Sequence, residues 1–232
     1  IGSHATRTLY SVSQVLEKAC KVLKKDVLSY AANFLGVDEA CLTLDNATVQ
    51  GGGKEITLKK LCYEAHLRGK QFLVSECNVP TNSLPWYAHA AEVEVNMETG
   101  EVKVVKIAAA HDVGKVINPN LCEGQIEGGA LMGVGYATTE EMVYEEGKGF
   151  QNYDYRTYKL PRTDNSPEIK AIIVESHDPK GTLGVKGIGE VGICAILPAI
   201  LSAVEDATGV RFTEVPLTPE RVLAGLKKAG KI

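Results

Sequence analysis

Apolar and polar residues alternate most clearly in two runs, residues 90–95 (AAEVEV) and 102–108 (VKVVKIA), on either side of Met97-Glu98-Thr99-Gly100-Glu101. A period of two in adjacent runs joined by a short glycine-containing turn predicts a β-hairpin. Elsewhere the period is nearer 3.6. Residues 9–34 predict one long helix with Val12, Val15, Leu16, Ala19, Val22 and Leu23 on one face. Residues 193–207 (ICAILPAILSAVEDA up to Ala207) predict a mostly buried helix closed by Gly209. Between these lie short predicted strands at 42–49 and 56–58 about the Gly51-Gly52-Gly53 turn, a helix at 58–68, and further strands at 142–144, 155–158 and 169–174. Pro119 opens a glycine-rich helix running to about Ala137, and Thr218-Pro219-Glu220 reads as N-cap, N1 proline and first-turn acid of a short final helix. The sum is an α+β chain. Its one candidate boundary is the proline-containing stretch 79–86, which divides it into lobes 1–85 and 86–232.

Composition narrows the function classes. The 232 residues are 44% hydrophobic with a formal net charge of −4, enough to bury a sizeable core. The lysines are scattered and aromatics are few, so there is no basic stripe for nucleic acid. No run of about 18 apolar residues stands out and no signal-peptide pattern precedes the fold, so no membrane span is expected and a cytoplasmic setting follows. The six cysteines, at 20, 41, 62, 77, 122 and 194, form no Cys-x-x-Cys pair and no cluster with histidine at metal spacing, which argues against an iron–sulfur or zinc site within the chain. Cys20 and Cys194 sit in apolar helical patterns and are expected to be small buried hydrophobes. The five histidines are dispersed, with His89 in the alternating hairpin and His4 beside Ser3.

The most pointed chemistry lies in Lys186-Gly187-Ile188-Gly189-Glu190-Val191-Gly192. One carboxylate stands among glycines just ahead of an apolar helical run, where free N–H groups carry partial positive charge and glycines permit close backbone approach. A glutamate there serves either as a base or, more commonly for an arbitrary first-turn acid, as a complement to the helix dipole. Gln125, on the glycine-rich helix, is either a solvent-facing polar group or a ligand contact. Glycines 124, 128 and 129 beside it favour the latter.

Six segments in series carry a family resemblance. They are Asp112-Val113-Gly114 with Ile117-Asn118-Pro119; Gly124-Gln125-Ile126-Glu127-Gly128-Gly129; Gly133-Val134-Gly135; Tyr155-Arg156-Thr157-Tyr158-Lys159-Leu160-Pro161; Lys186-Gly187-Ile188-Gly189-Glu190; and Pro216-Leu217-Thr218-Pro219-Glu220-Arg221-Val222. In this order they resemble the C-terminal part of the molybdenum-binding subunit of the xanthine dehydrogenase and aldehyde oxidase family. The likeness covers nearly the full chain and is weakest from Lys24 to Leu84. It implies the family's molybdenum-binding fold, with helices packed on mixed sheets. It also implies a molybdenum hydroxylase that oxidatively hydroxylates an electron-poor carbon, with water as the oxygen source.

The resemblance further implies residue roles. Glu190 matches the family's general base, and Gln125 matches the glutamine that hydrogen-bonds the pterin. Gly2, Ser3 and Thr6, in Gly2-Ser3-His4-Ala5-Thr6, match a segment whose amides and hydroxyls line the cofactor, and Gly189 is expected to touch it as well. Without the family, that first segment reads as a Ser/Thr helix cap. The molybdenum is expected on the pterin, in the molybdopterin or cytosine-dinucleotide form, with no protein side chain as a metal ligand. FAD and [2Fe-2S] clusters are expected on other subunits, and an oligomer is expected. The substrate expectation is an N-heterocycle such as a purine, with aldehydes, carbon monoxide, and a non-catalytic module inactive without its partner as alternatives.

Departures bear on the same point. The family's Phe-Gly-Gly-Lys and Gly-Gln-Gly types of loop are not found in this chain, Ile1 is not a start methionine, and Val191-Gly192 replaces a proline-containing continuation. The expectation is a site completed by the remaining portion of a molybdenum subunit, whether the chain is a fragment, a processed product or half of a divided subunit.

Overall fold

The computed structural model describes residues 4–78 and 82–232, in two compact units. Ser11–Thr81 is one unit, and the segment before it joins Asn82–Ile232 in the other. This differs from a lobe of residues 1–85. The reason is an anchor: the Tyr10 phenol, 2% exposed, donates to Asp178 Oδ2 at 2.9 Å, which ties the start of the chain to the second unit's loops.

In the smaller unit, α1 (Ser13–Leu35) follows a π-helical turn at Thr8–Val12. It ends at Gly36, whose φ of 65° suits glycine and whose N–H donates to Ala32 O. The apolar stripe expected at its N-terminal half is not the buried one, since Val12, Leu16 and Val22 are exposed. The core uses Val27, Ala31 and Ala32 instead, packed with Leu42, Val49, Ile56 and Leu61. The expected strand 42–49 divides into β1 (Thr43–Asp45) and β2 (Thr48–Gly51) because Asn46 and Ala47 take left-handed turn conformations. β3 (Lys54–Thr57) completes an antiparallel β1-β2-β3 sheet. It leads into α2 (Leu58–Leu67), capped by the Thr57 hydroxyl.

The larger unit is built on β4 (Tyr87–Val95) and β5 (Val102–Asp112), the expected hairpin, longer than its alternation suggested and carrying a register shift at Glu92/Val93. After α3 (Pro119–Thr138), whose first turn is capped by Asn118 Oδ1, come the two-residue strands β6 (Tyr144–Glu145) and β7 (Gly149–Phe150). β8 (Glu168–Val174) then pairs parallel to β5. The expected strand at 155–158 is a turn: Asp154 Oδ1 accepts the amides of Arg156 and Thr157, both at 3.0 Å, and this side-chain competition replaces ladder pairing.

The expected single helix from Ile193 is two helices, α4 (Val191–Cys194) and α5 (Ile196–Thr208), broken at Ala195. Contrary to expectation, Val191–Thr208 has the length and apolarity of a bilayer span. Its Ile196, Ile200 and Val204 face is buried with α3 and the sheet, which accounts for the apolarity by core packing. α6 (Pro219–Lys228) closes that core through Val222 and Leu226, behind the expected Thr218 cap.

Candidate functional site

Three segments of the larger unit meet at a cavity of about 380 Å³ lined by His4, Ala5, Thr6, Gln125, Ile188, Gly189 and Glu190. Gln125 arrives on the first half of α3, and Glu190 at the N-cap position of α4. The helices are held together by glycine. A Cβ at Gly129 would lie 2.9 Å from the Gly192 backbone, and one at Gly133 would strike Ile196 at 2.5 Å. Gly129 is therefore a packing glycine, whereas Cβ positions at Gly124 and Gly128 would meet nothing within 4 Å. Of the three glycines beside Gln125, two leave the helix surface bare and the third is taken up by packing.

Glu190 is exposed and its carboxylate does not cap α4, a single-turn helix. The dipole-complement role thus finds no capping hydrogen bond here, and Glu190 is among the residues that line the cavity. The loop before it is fixed at successive amides. Lys186 N donates to Val113 O at 2.9 Å, Gly187 N to Ser83 Oγ at 2.9 Å, and Ile188 N and Gly189 N to Thr6 Oγ1 at 2.9 and 2.8 Å. Gly187 and Gly189 serve this close approach: added Cβ atoms would stand 3.3 Å from Ala5 O and 3.2 Å from Thr6 Oγ1. The Gly189 N–H is engaged by Thr6, so it is not offered to the cavity.

Beneath the loop, Lys186 Nζ donates to Asp112 Oδ2 at 2.6 Å, and both side chains are close to 90% buried. Burial alone would raise the Asp112 carboxyl, but hydrogen bonds from Lys186, the Gly114 amide and the Ser176 hydroxyl outweigh it and hold the group below the usual carboxylate range. Neither Asp112 nor Ser83 was singled out from sequence. Asp112 had a signal in its place before Val113-Gly114, and Ser83, in an irregular stretch, had none.

A second, apolar cavity of about 280 Å³ adjoins the first, sharing Gln125 and Ile188 and lined also by Leu9, Leu121, Cys122 and Lys186. Burial pushes the Cys122 thiol up, which disfavours a thiolate nucleophile there. The expectation of buried Cys20 and Cys194 is corrected: both are exposed. Cys20 lies on a part of α1 that does not enter the core, and Cys194 is on the outer side of the α4 turn, where its Sγ–H donates to Glu190 O at 3.7 Å. Among the described residues, no group of three or more His, Cys, Asp or Glu is placed to hold a metal ion. Gly2 and Ser3 lie outside the described residues.

The donor set of the first cavity suits the polar edge of a pterin. The Gln125 amide both donates and accepts, as a ring with mixed N–H and C=O edges requires, and the glycine face beside it leaves room for a flat group. It suits a phosphate less well: among the described residues no lysine or arginine lines it, and Lys186 and Lys115, which line the adjoining cavity, are paired with Asp112 and Glu175.

Comparison with known proteins places the chain in a family. A family described as a molybdopterin cofactor-binding domain matches residues 1–167. The chain is 32% identical over 241 residues to the xanthine dehydrogenase molybdenum-binding subunit of Escherichia coli O157:H7, covering 100% of this chain and 32% of that one. It is 37% identical to the nicotine 6-hydroxylase large subunit of Paenarthrobacter nicotinovorans, covering 97% of this chain and 30% of that one. Quinoline 2-oxidoreductase from Pseudomonas putida 86 superimposes with a TM-score of 0.83 at 24% identity, over 98% of this chain and 31% of its own, a likeness of fold. The chain thus spans about a third of the length of these relatives. With the family match covering well over half of it, the chain belongs to the molybdopterin cofactor-binding domains of the xanthine dehydrogenase and aldehyde oxidase family.

Proposed function

We propose that this chain forms one wall of a molybdenum hydroxylase active site, with Glu190 as the general base. The observation that carries the reading is the shared cavity: Gln125 and Glu190, 65 positions apart in sequence, line it together. The cofactor, when bound, supplies the two-electron redox chemistry. The chain's own part is to hold and orient it and to move a proton. The Gln125 amide holds the pterin edge, and Gly189 contributes its carbonyl and its lack of a side chain. The exposed Glu190 carboxylate would serve as the base that takes up a proton from the water that supplies the oxygen. Thr6 faces the same cavity, but its oxygen already accepts two amides, so toward a further group it acts only as a donor.

The substrate class is an N-heterocycle such as a purine, supported by relatives named for xanthine and nicotine. The remaining portion of the molybdenum subunit completes the pocket, and FAD and [2Fe-2S] clusters on other subunits take the electrons.

The test is to purify the chain alone and together with the rest of a molybdenum subunit, then measure molybdenum, pterin form, and turnover of purines, other N-heterocycles, aldehydes and carbon monoxide. Molybdenum and N-heterocycle hydroxylation only in the combined protein are expected. Turnover confined to aldehydes or carbon monoxide contradicts the substrate class, and full loading of the lone chain contradicts the shared site.

A further inference from the structure

We infer that Thr6 is a positioning residue for Glu190: its hydroxyl, rather than a cofactor atom, fixes the loop that carries the carboxylate. The inference rests on the reading of Glu190 as the base. The last two amides before Glu190, those of Ile188 and Gly189, converge on one oxygen, Thr6 Oγ1, at 2.9 and 2.8 Å. A hydroxyl has two acceptor lone pairs, and both are occupied.

Thr6 reaches this place from an unusual backbone. Ala5 and Thr6 have φ of 49° and 56°, left-handed values that L side chains rarely adopt. Such conformations persist where surrounding contacts over-determine them. Those contacts are present: Arg7 N donates to His4 O, Tyr10 N to Thr6 O, and the Tyr10 phenol to the buried Asp178. The loop side is shaped to match, since Cβ atoms at Gly187 and Gly189 would meet Ala5 O and Thr6 Oγ1 at 3.3 and 3.2 Å. Upstream the loop is held through Ser83 and the Lys186–Asp112 pair, whereas the last anchor before Glu190 is Thr6. Without it, the peptide entering Glu190 loses both of its hydrogen bonds to Thr6, and a general base displaced by about 1 Å loses much of its rate advantage.

The experiment compares Thr6→Val, which keeps the shape and removes the hydroxyl, with Thr6→Ser, which keeps the acceptor. Amide hydrogen exchange is read in the chain, with the β5 amides as a control for folding, and turnover and molybdenum content are read in the complete enzyme. Thr6→Val is expected to speed exchange at Ile188 and Gly189 by roughly two- to tenfold, because both amides lose their acceptor, with protection of β5 unchanged. It also lowers kcat with molybdenum retained, and Thr6→Ser restores both. Unchanged exchange at Ile188 and Gly189 in Thr6→Val overturns the inference, as does loss of molybdenum without a change in exchange, which assigns the hydroxyl to the cofactor. Glu190→Gln, run alongside, separates the two readings. Normal turnover in that variant while Thr6→Val still exchanges fast removes the base and leaves the loop anchor standing.

Discussion

His89 and His111 face each other from β4 and β5 with their Nε2 atoms 2.7 Å apart. At that distance one ring donates and the other accepts, and neither Nδ1 has a hydrogen-bond partner among the described residues. The Tyr87 ring lies against both imidazoles. Burial, and then the neighbouring His89, lower the His111 pKa to about 4, and burial lowers that of His89 as well.

Acid sensitivity follows from that pair. A histidine whose folded pKa is depressed stabilises the fold fully above its unfolded value of about 6.5, and loses that contribution as pH falls toward the folded value. For His111 the window runs from about 6.5 down to about 4, with a loss on the order of 3 kcal/mol at its lower end. Urea unfolding between pH 8 and 4 measures it. The His111→Gln variant is expected to be less stable at pH 8 and to lose less on acidification. An equal slope in both proteins contradicts the lowered His111 pKa.

The glycines of α3 give a contrast in sign. Gly129→Ala sets a methyl 2.9 Å from the Gly192 backbone, where nothing flexible can yield, and is expected to destabilise by about 1–3 kcal/mol. At Gly124 and Gly128 the space is open, and alanine there is expected to stabilise the helix by about 0.5–1 kcal/mol. Thermal unfolding of the chain reads both. Destabilisation at Gly124 or a neutral effect at Gly129 contradicts the packing described.

The pattern of what sequence revealed has a physical cause. The hairpin, α3 and the α6 cap were legible because period-two alternation, Pro119 and Thr218-Pro219 are local signals. The stripe on α1 misled because Val12, Leu16 and Val22 have helical spacing without entering the core of their unit. The strand expected at 155–158 failed because one carboxylate, Asp154, outcompeted the ladder. At the site, motifs single out Gln125 and Glu190, and the fold brings both to one cavity. The supports of Glu190 were not legible, since Thr6, Ser83 and Asp112 lie 74 or more positions before Lys186 and meet the loop only in the fold.

Asp112 and Lys186 should behave as a unit. Removing one partner leaves a poorly solvated charge, so Asp112→Asn is expected to cost about 3 kcal/mol. The double variant Asp112→Asn/Lys186→Met is expected to recover part of that loss. The carboxyl is held low, so its contribution is complete above the unfolded value near 3.9 and disappears as pH falls through the lower folded value. A double-mutant cycle at pH 7 checks the coupling, and strictly additive losses contradict it.

The most direct measurement is turnover and molybdenum content of the complete enzyme carrying Glu190→Gln. The substitution keeps size and hydrogen bonding and deletes basicity. With Glu190 exposed at the cavity and free of a capping role, fold and cofactor content should be retained. The account predicts a fall in kcat of about 10²- to 10⁴-fold at unchanged molybdenum. Normal turnover in a molybdenum-replete Glu190→Gln enzyme would contradict it.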